Sequence, residues 1–136
     1  MAYQLNFSAL VRIKEDDLGL RVPIKLSSGA QEIKIEAYFD SGAKYCVFPR
    51  WIGEDLGLPI ESGKSVGLRT GGGVMQAYLH YGTLTIADLI FEDVPFCIAK
   101  YPDFDRCLLG RSGWLPKTRF GLVTYDDELL LGRFDE

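Results

Sequence analysis

Phe39-Asp40-Ser41-Gly42-Ala43 closes an alternating stretch, Glu32-Ile33-Lys34-Ile35-Glu36-Ala37-Tyr38-Phe39, and the fold turns on how that junction is read. Alternation of apolar and polar residues predicts a half-buried strand over 32–39. The strand runs straight into a carboxylate, a small hydroxyl residue and a glycine. Alone, these three residues make an ordinary turn, because Asp and Ser bond to nearby backbone and Gly accepts unusual dihedrals. Two later segments change that reading. Gly71-Gly72-Gly73 lies between two extendable arms and predicts a long hairpin over 66–81 with a flexible tip. Cys107-Leu108-Leu109-Gly110-Arg111 reads as a buried strand over 106–109, halted by glycine and followed by a helical turn over 111–115 before Pro116.

Working outward, residues 4–14 and 21–26 are rich in alternating apolar positions. Ser27-Ser28-Gly29 is a turn cluster, so the runs on either side should pair as a hairpin. Val47 and Phe48 make a short strand. Pro49 then starts a short helix to Leu56, with Gly57 at its C-terminus and Trp51, Ile52 and Leu56 on the inner side. Residues 83–86 and 89–98 give two further strands, and residues 120–125 and 128–134 a last hairpin around Asp126-Asp127. Many short strands, frequent turns and little helix predict an all-β, barrel-like domain spanning 1–136, with 1–20 as an N-terminal strand extension.

Composition narrows the function classes. The chain has 136 residues, 47% hydrophobic and 25% charged, as expected of one folded domain. Lys plus Arg is 15 against 19 for Asp plus Glu, a net charge of −4, which argues against nucleic acid as a partner. No apolar run approaches the ~20 residues of a membrane span, so no membrane partner is expected. The first residues lack the basic start and apolar core of a signal peptide. Cys46, Cys97 and Cys107 are too few and scattered for a disulfide framework, and read as free, mostly buried thiols of a cytoplasmic protein. With one histidine, His80, and no CxxC pair, no metal site is expected. His80 reads as a strand-surface residue, Glu15-Asp16-Asp17 and Asp126-Asp127-Glu128 as solvated turns, and Trp51 and Trp114 as core anchors. Val47, Leu109 and Trp114 are read as core in preference to pocket lining.

The order of acid loop, glycine-tipped hairpin and Leu-Leu-Gly strand resembles the retropepsin-like aspartic proteases over roughly residues 22–134. The resemblance implies a closed, barrel-like acid-protease fold with one or two short helices and a flap hairpin. It makes Asp40 the catalytic aspartate and Ser41 the hydroxyl that bonds across to a partner loop. Gly42 and Ala43 complete that loop, and Leu108, Leu109 and Gly110 form the strand that supports it, followed by Arg111. Gly71, Gly72, Gly73 and Val74 fall at the flap, where substrate would be covered. One position departs from the pattern. Retroviral members carry an acidic residue after the alanine that pairs with the arginine, whereas here it is Lys44, which leaves the partner of Arg111 open.

Metal-free amide hydrolysis requires an activated water and a proton donor for the carbonyl oxygen. Two adjacent carboxylates sharing one proton supply both, as in aspartic proteases generally. Only one such loop is present, so this chemistry requires a homodimer that brings two copies of Asp40 together. The expected function is an aspartic endopeptidase that cleaves extended peptides without a cofactor. The alternatives are the same fold as a catalytically silent binding or assembly module, and a β-barrel in which the Asp40 loop is simply a turn.

Overall fold

A computed structural model describes residues 1–136. The N-terminal segment gives two short strands, β1 (Ala9–Arg12) and β2 (Lys14–Asp16), and residues before Ser8 form no regular structure. The strand expected over 4–14 is thus confined to its second half. The next two strands, β3 (Gly19–Ser28) and β4 (Gln31–Phe39), pair as the antiparallel hairpin expected from the Ser28-Gly29 turn. Gly29 takes φ +59° at its tip, a conformation glycine adopts without a Cβ penalty. Alternation sets the inner face. Val22 opposes Ala37, Ile24 opposes Ile35, and Leu26 opposes Ile33 across the ladder.

After the acid loop come β5 (Cys46–Phe48) and helix α1 (Arg50–Asp55), entered at Pro49 and followed by Gly57 at φ +69°. Ile52 and Leu56 are buried as expected, but Trp51 is 44% exposed. A single residue step turns Trp51 by about 100° from its neighbour Ile52, and only the face bearing Ile52 and Leu56 meets the barrel. Strands β6 (Lys64–Thr70) and β7 (Gly73–Ile86) form the long hairpin. Residues 83–86 are not a separate strand. They continue β7 through an irregularity between Gly82 and Leu84. A Cβ on Gly82 would lie 2.6 Å from the Ser27 carbonyl oxygen, so glycine lets β7 pass close to β3 there. The antiparallel partner of β7 is β8 (Leu89–Ala99).

The remaining strands are β9 (Leu108–Leu109), β10 (Thr118–Val123) and β11 (Glu128–Arg133). Only two of the four residues expected over 106–109 are strand. The expected helix over 111–115 is one hydrogen-bonded turn, Leu115 N–H to the Arg111 carbonyl, followed by a 3-10 turn at Leu115–Lys117. Gly113 at φ +85° breaks any regular helix there.

Pairing closes a six-stranded barrel in the order β3-β4-β9-β5-β8-β7, with β7 returning to β3 through Lys25–Ser27 and Thr83–Thr85. The β4–β9 and β5–β8 contacts are parallel, and the other pairs are antiparallel. Beside the barrel, β1, β11 and β10 form a three-stranded sheet, with Leu129 and Leu131 joining the main core. No helix is long and apolar enough to cross a membrane.

Several polar residues are more engaged than their sequence reading suggests. The nitrogen Nε2 of His80 lies 2.9 Å from the Ile60 carbonyl, so His80 ties β7 to the segment after α1 and is not a free surface residue. Asp16 accepts hydrogen bonds from the Tyr38 hydroxyl and the Leu18 amide, and together with Arg21 these hold its carboxyl below the usual carboxylate range. It therefore anchors the β2–β3 turn to β4. Asp127 does sit in a turn, at φ +53°.

Candidate active site

The barrel seam between β4 and β9 builds the site. Phe39 opposes Leu109 at the end of β4, and the next residue, Asp40, donates its amide to the Leu109 carbonyl at 2.9 Å. Phe39 is itself fixed by aromatic packing: its ring stacks on Phe120 at 4.9 Å and meets Trp114 edge-on at 6.3 Å. The residue that carries the carboxylate thus follows one whose ring is held by two others.

Asp40 is exposed, and its Oδ1 accepts the Gly42 amide at 3.0 Å. The Asp40 carbonyl accepts the Ala43 amide at 3.1 Å, which closes the turn. A Cβ on Gly42 would lie 3.2 Å from Oδ1, so glycine gives the amide its close approach to the carboxylate. The Ser41 hydroxyl has no partner within the chain and faces outward with Asp40.

Leu108, Leu109 and Gly110 thread beside this loop. Leu109 is buried in the core, whereas Leu108 reaches the cleft. Gly110 is the tightest point: a Cβ there would meet the Tyr45 carbonyl oxygen and carbon and lie 2.9 Å from the Ala43 oxygen. Beyond it, the amides of Arg111 and Ser112 bond to the carbonyls of Ala43 and Lys44 at 3.1 and 2.9 Å. The Gly110 carbonyl accepts the Trp114 indole N–H at 2.5 Å. The partner left open for Arg111 is the Ser41 carbonyl, 3.1 Å from Nη1 and 70 positions away in the chain. Arg111 clamps the acid loop through backbone, so it does not depend on an acidic residue at position 44.

The carboxylate opens into a cleft of about 390 Å³ between the acid loop and the β6–β7 hairpin. Its lining includes Lys44, Tyr45, Val47, Leu68, Met75 and Phe104. Val47 therefore serves both as core and as cleft floor, while Leu109 and Trp114 are core only. The hairpin reaches the cleft with Gly67, Leu68, Arg69, Thr70 and Met75. Gly71, Gly72 and Gly73 at the tip stand clear, with open space where each Cβ would lie. Val74 is 68% exposed and borders an adjoining hollow with Tyr101, Asp103 and Phe104. Sequence reading located the hairpin but not these inward-facing residues. The alternation of Val66, Leu68 and Met75 with exposed neighbours is the signal that marks them. A larger hollow of about 620 Å³ lies away from Asp40 and is bounded by Lys25, Lys34 and Glu36. It brings no carboxylate under a covering hairpin.

Comparison with known proteins bears on family and fold. A family model described as aspartyl protease matches residues 22–112. A crystal structure of a retropepsin-like aspartic protease from Rickettsia conorii is similar with a TM-score of 0.66. The alignment covers 96% of each chain at 19% identity, a level at which the likeness shows the fold. No curated protein matches the sequence.

Proposed function

The chain belongs to the aspartyl protease family, and from that membership we propose that it is an endopeptidase working through two Asp40 carboxylates brought together in a homodimer. Family and retropepsin-like fold together support a protease-type function. The observation that carries the finer reading is the placement of Asp40. It is an exposed carboxylate on a loop held by backbone on both sides, at the mouth of a cleft that a hairpin covers.

In the dimer, one Asp40 is ionised and takes a proton from water, while its symmetry mate is protonated and donates to the scissile carbonyl oxygen. The hydroxide equivalent attacks the carbonyl carbon, and the C–N bond of the tetrahedral intermediate breaks as the Asp40 that took the water proton passes it to the nitrogen and the other Asp40 recovers its proton from the hydroxyl. Like charges at close range oppose double ionisation, so the pair holds one proton. Ser41, whose hydroxyl is unpartnered within the chain, joins the two loops. The β6–β7 hairpin acts as a flap over an extended peptide, with Gly71, Gly72, Gly73 and Val74 at its moving end. The Gly42 amide is the donor the chain offers to the Asp40 carboxylate, and Ala43 adds no hydroxyl beside it.

The test compares wild type with Asp40→Asn on a peptide library, with oligomeric state followed by analytical ultracentrifugation. Asn keeps an acceptor for the Gly42 amide, so the fold persists while turnover falls about a thousandfold or more. Equal cleavage by the variant, or full activity from a strict monomer, overturns the reading. Binding without cleavage by a dimeric wild type identifies a silent module instead.

A further inference from the structure

The protein carries a net charge of −4, yet the charged side chains lining the Asp40 cleft are one carboxylate and two cations, Lys44 and Arg69. Both cations are exposed, and neither lies within 4 Å of a carboxylate. They differ in this from Arg12, Arg21, Arg50 and Arg133, each held by an acidic partner. They differ also from Arg111, which is spent on the Ser41 carbonyl. The Lys44 ammonium rests 5.2 Å from the Tyr45 ring centroid, and Arg69 stands on β6 opposite Val74. Between them the walls are apolar: Tyr45, Val47, Leu68, Met75, Phe104 and Leu108.

Resting on the peptidase reading above, we propose that this cleft selects extended peptides with apolar side chains at the scissile bond and Asp or Glu flanking them, the acidic side chains being read by Lys44 and Arg69. A cleft in which one sign of charge predominates concentrates ligands of the other, an effect that weakens as salt screens exposed groups. A dimer sharing one proton between its Asp40 carboxylates keeps one negative charge against two Lys44 and two Arg69 cations. Two-fold symmetry repeats the cations on both sides of the scissile bond, so the acidic positions flank it on both sides. Asp103 in the adjoining hollow repels acid farther out, which confines the preference to the Asp40 end of the cleft.

The experiment uses labelled peptide sets that share an apolar centre and carry Glu, Gln or Lys at the flanking positions. Binding to Asp40→Asn is read by fluorescence anisotropy, and kcat/KM by wild-type cleavage. The Glu set is expected to bind about three- to tenfold tighter than the Gln set and the Lys set more weakly than either, as for partly exposed ion pairs. The preference should shrink as salt rises from about 50 to about 500 mM. In the Lys44→Gln/Arg69→Gln double variant the Glu-to-Gln ratio should fall towards one. Equal binding of the Glu and Gln sets overturns the inference, as does a preference that survives in the double variant. Glu-selective binding with no cleavage by wild type upholds the charge selection and overturns the peptidase reading. Cleavage without charge preference does the reverse, and binding of no set overturns both.

Discussion

Gly110 is where the site tolerates least. An alanine Cβ there would overlap the Tyr45 carbonyl and crowd that of Ala43, both backbone atoms of the acid loop itself. Gly110→Ala should therefore cost about 3 kcal/mol or more and abolish turnover, measured by urea denaturation and peptide cleavage. Gly42→Ala is milder, because its Cβ would approach only Asp40 Oδ1, at 3.2 Å. It should fold and lose roughly tenfold in kcat/KM through a displaced carboxylate. Trp114→Phe keeps the ring packing on Phe39 and Phe91 but removes the indole donor to the Gly110 carbonyl. A buried carbonyl losing its donor costs about 1–3 kcal/mol, visible as a lower urea midpoint with an unchanged m-value. Of these residues, Gly110 was legible in sequence as the end of a Leu-Leu-Gly strand. Trp114 was legible only as an apolar anchor, because a hydrogen bond four residues back depends on a turn that Gly113 makes irregular.

Among the elements, the β6–β7 hairpin carries the next prediction. Gly73 opens β7 at φ +124° with open space around its missing side chain. Gly73→Ala would strain the tip locally by about 1–3 kcal/mol without touching the core. The expected result is a KM raised about three- to tenfold with a nearly unchanged melting temperature, from steady-state kinetics and calorimetry. Strands with clean alternation, such as 31–39, were readable because one face is buried and the other is not. The β7 strand was misread as ending near Tyr81 because Gly82 looks like a breaker, whereas it permits a close crossing over Ser27. Trp51 was misassigned because a six-residue helix shows too little of its period to fix which face is inward. Which hairpin residues border the cleft, Leu68 and Met75 from the inner face and Arg69 beside them, became definite only with the register.

For the whole molecule, two observables follow. The proposed dyad, built from two chains, makes specific activity depend on protein concentration. Activity per protomer should fall on dilution through the dimer dissociation constant, with sedimentation and cleavage tracking each other. The thiols set the alkaline limit. Burial pushes Cys46 up to about 12, and burial does the same to Cys97 and Cys107, to about 11 each, with Asp105 adding to the effect at Cys107. An unfolded thiol ionises near 9, so between about pH 9 and 12 the unfolded chain binds fewer protons and stability falls as pH rises. Below pH 9 the thiols contribute no such slope, and the buried Cys46 and Cys97 should react with a disulfide reagent only as fast as the protein opens, whereas the partly exposed Cys107 reacts faster. Urea midpoints from pH 7 to 11 and thiol-release rates at pH 8 check both statements.

The clamp between Ser41 and Arg111 also bears on the order in which the protein is made. A ribosome releases Asp40 long before it has synthesised the stretch that braces it, so a growing chain holds a carboxylate on a slack loop. Translation must proceed past Arg111 before the loop that carries Asp40 can be braced.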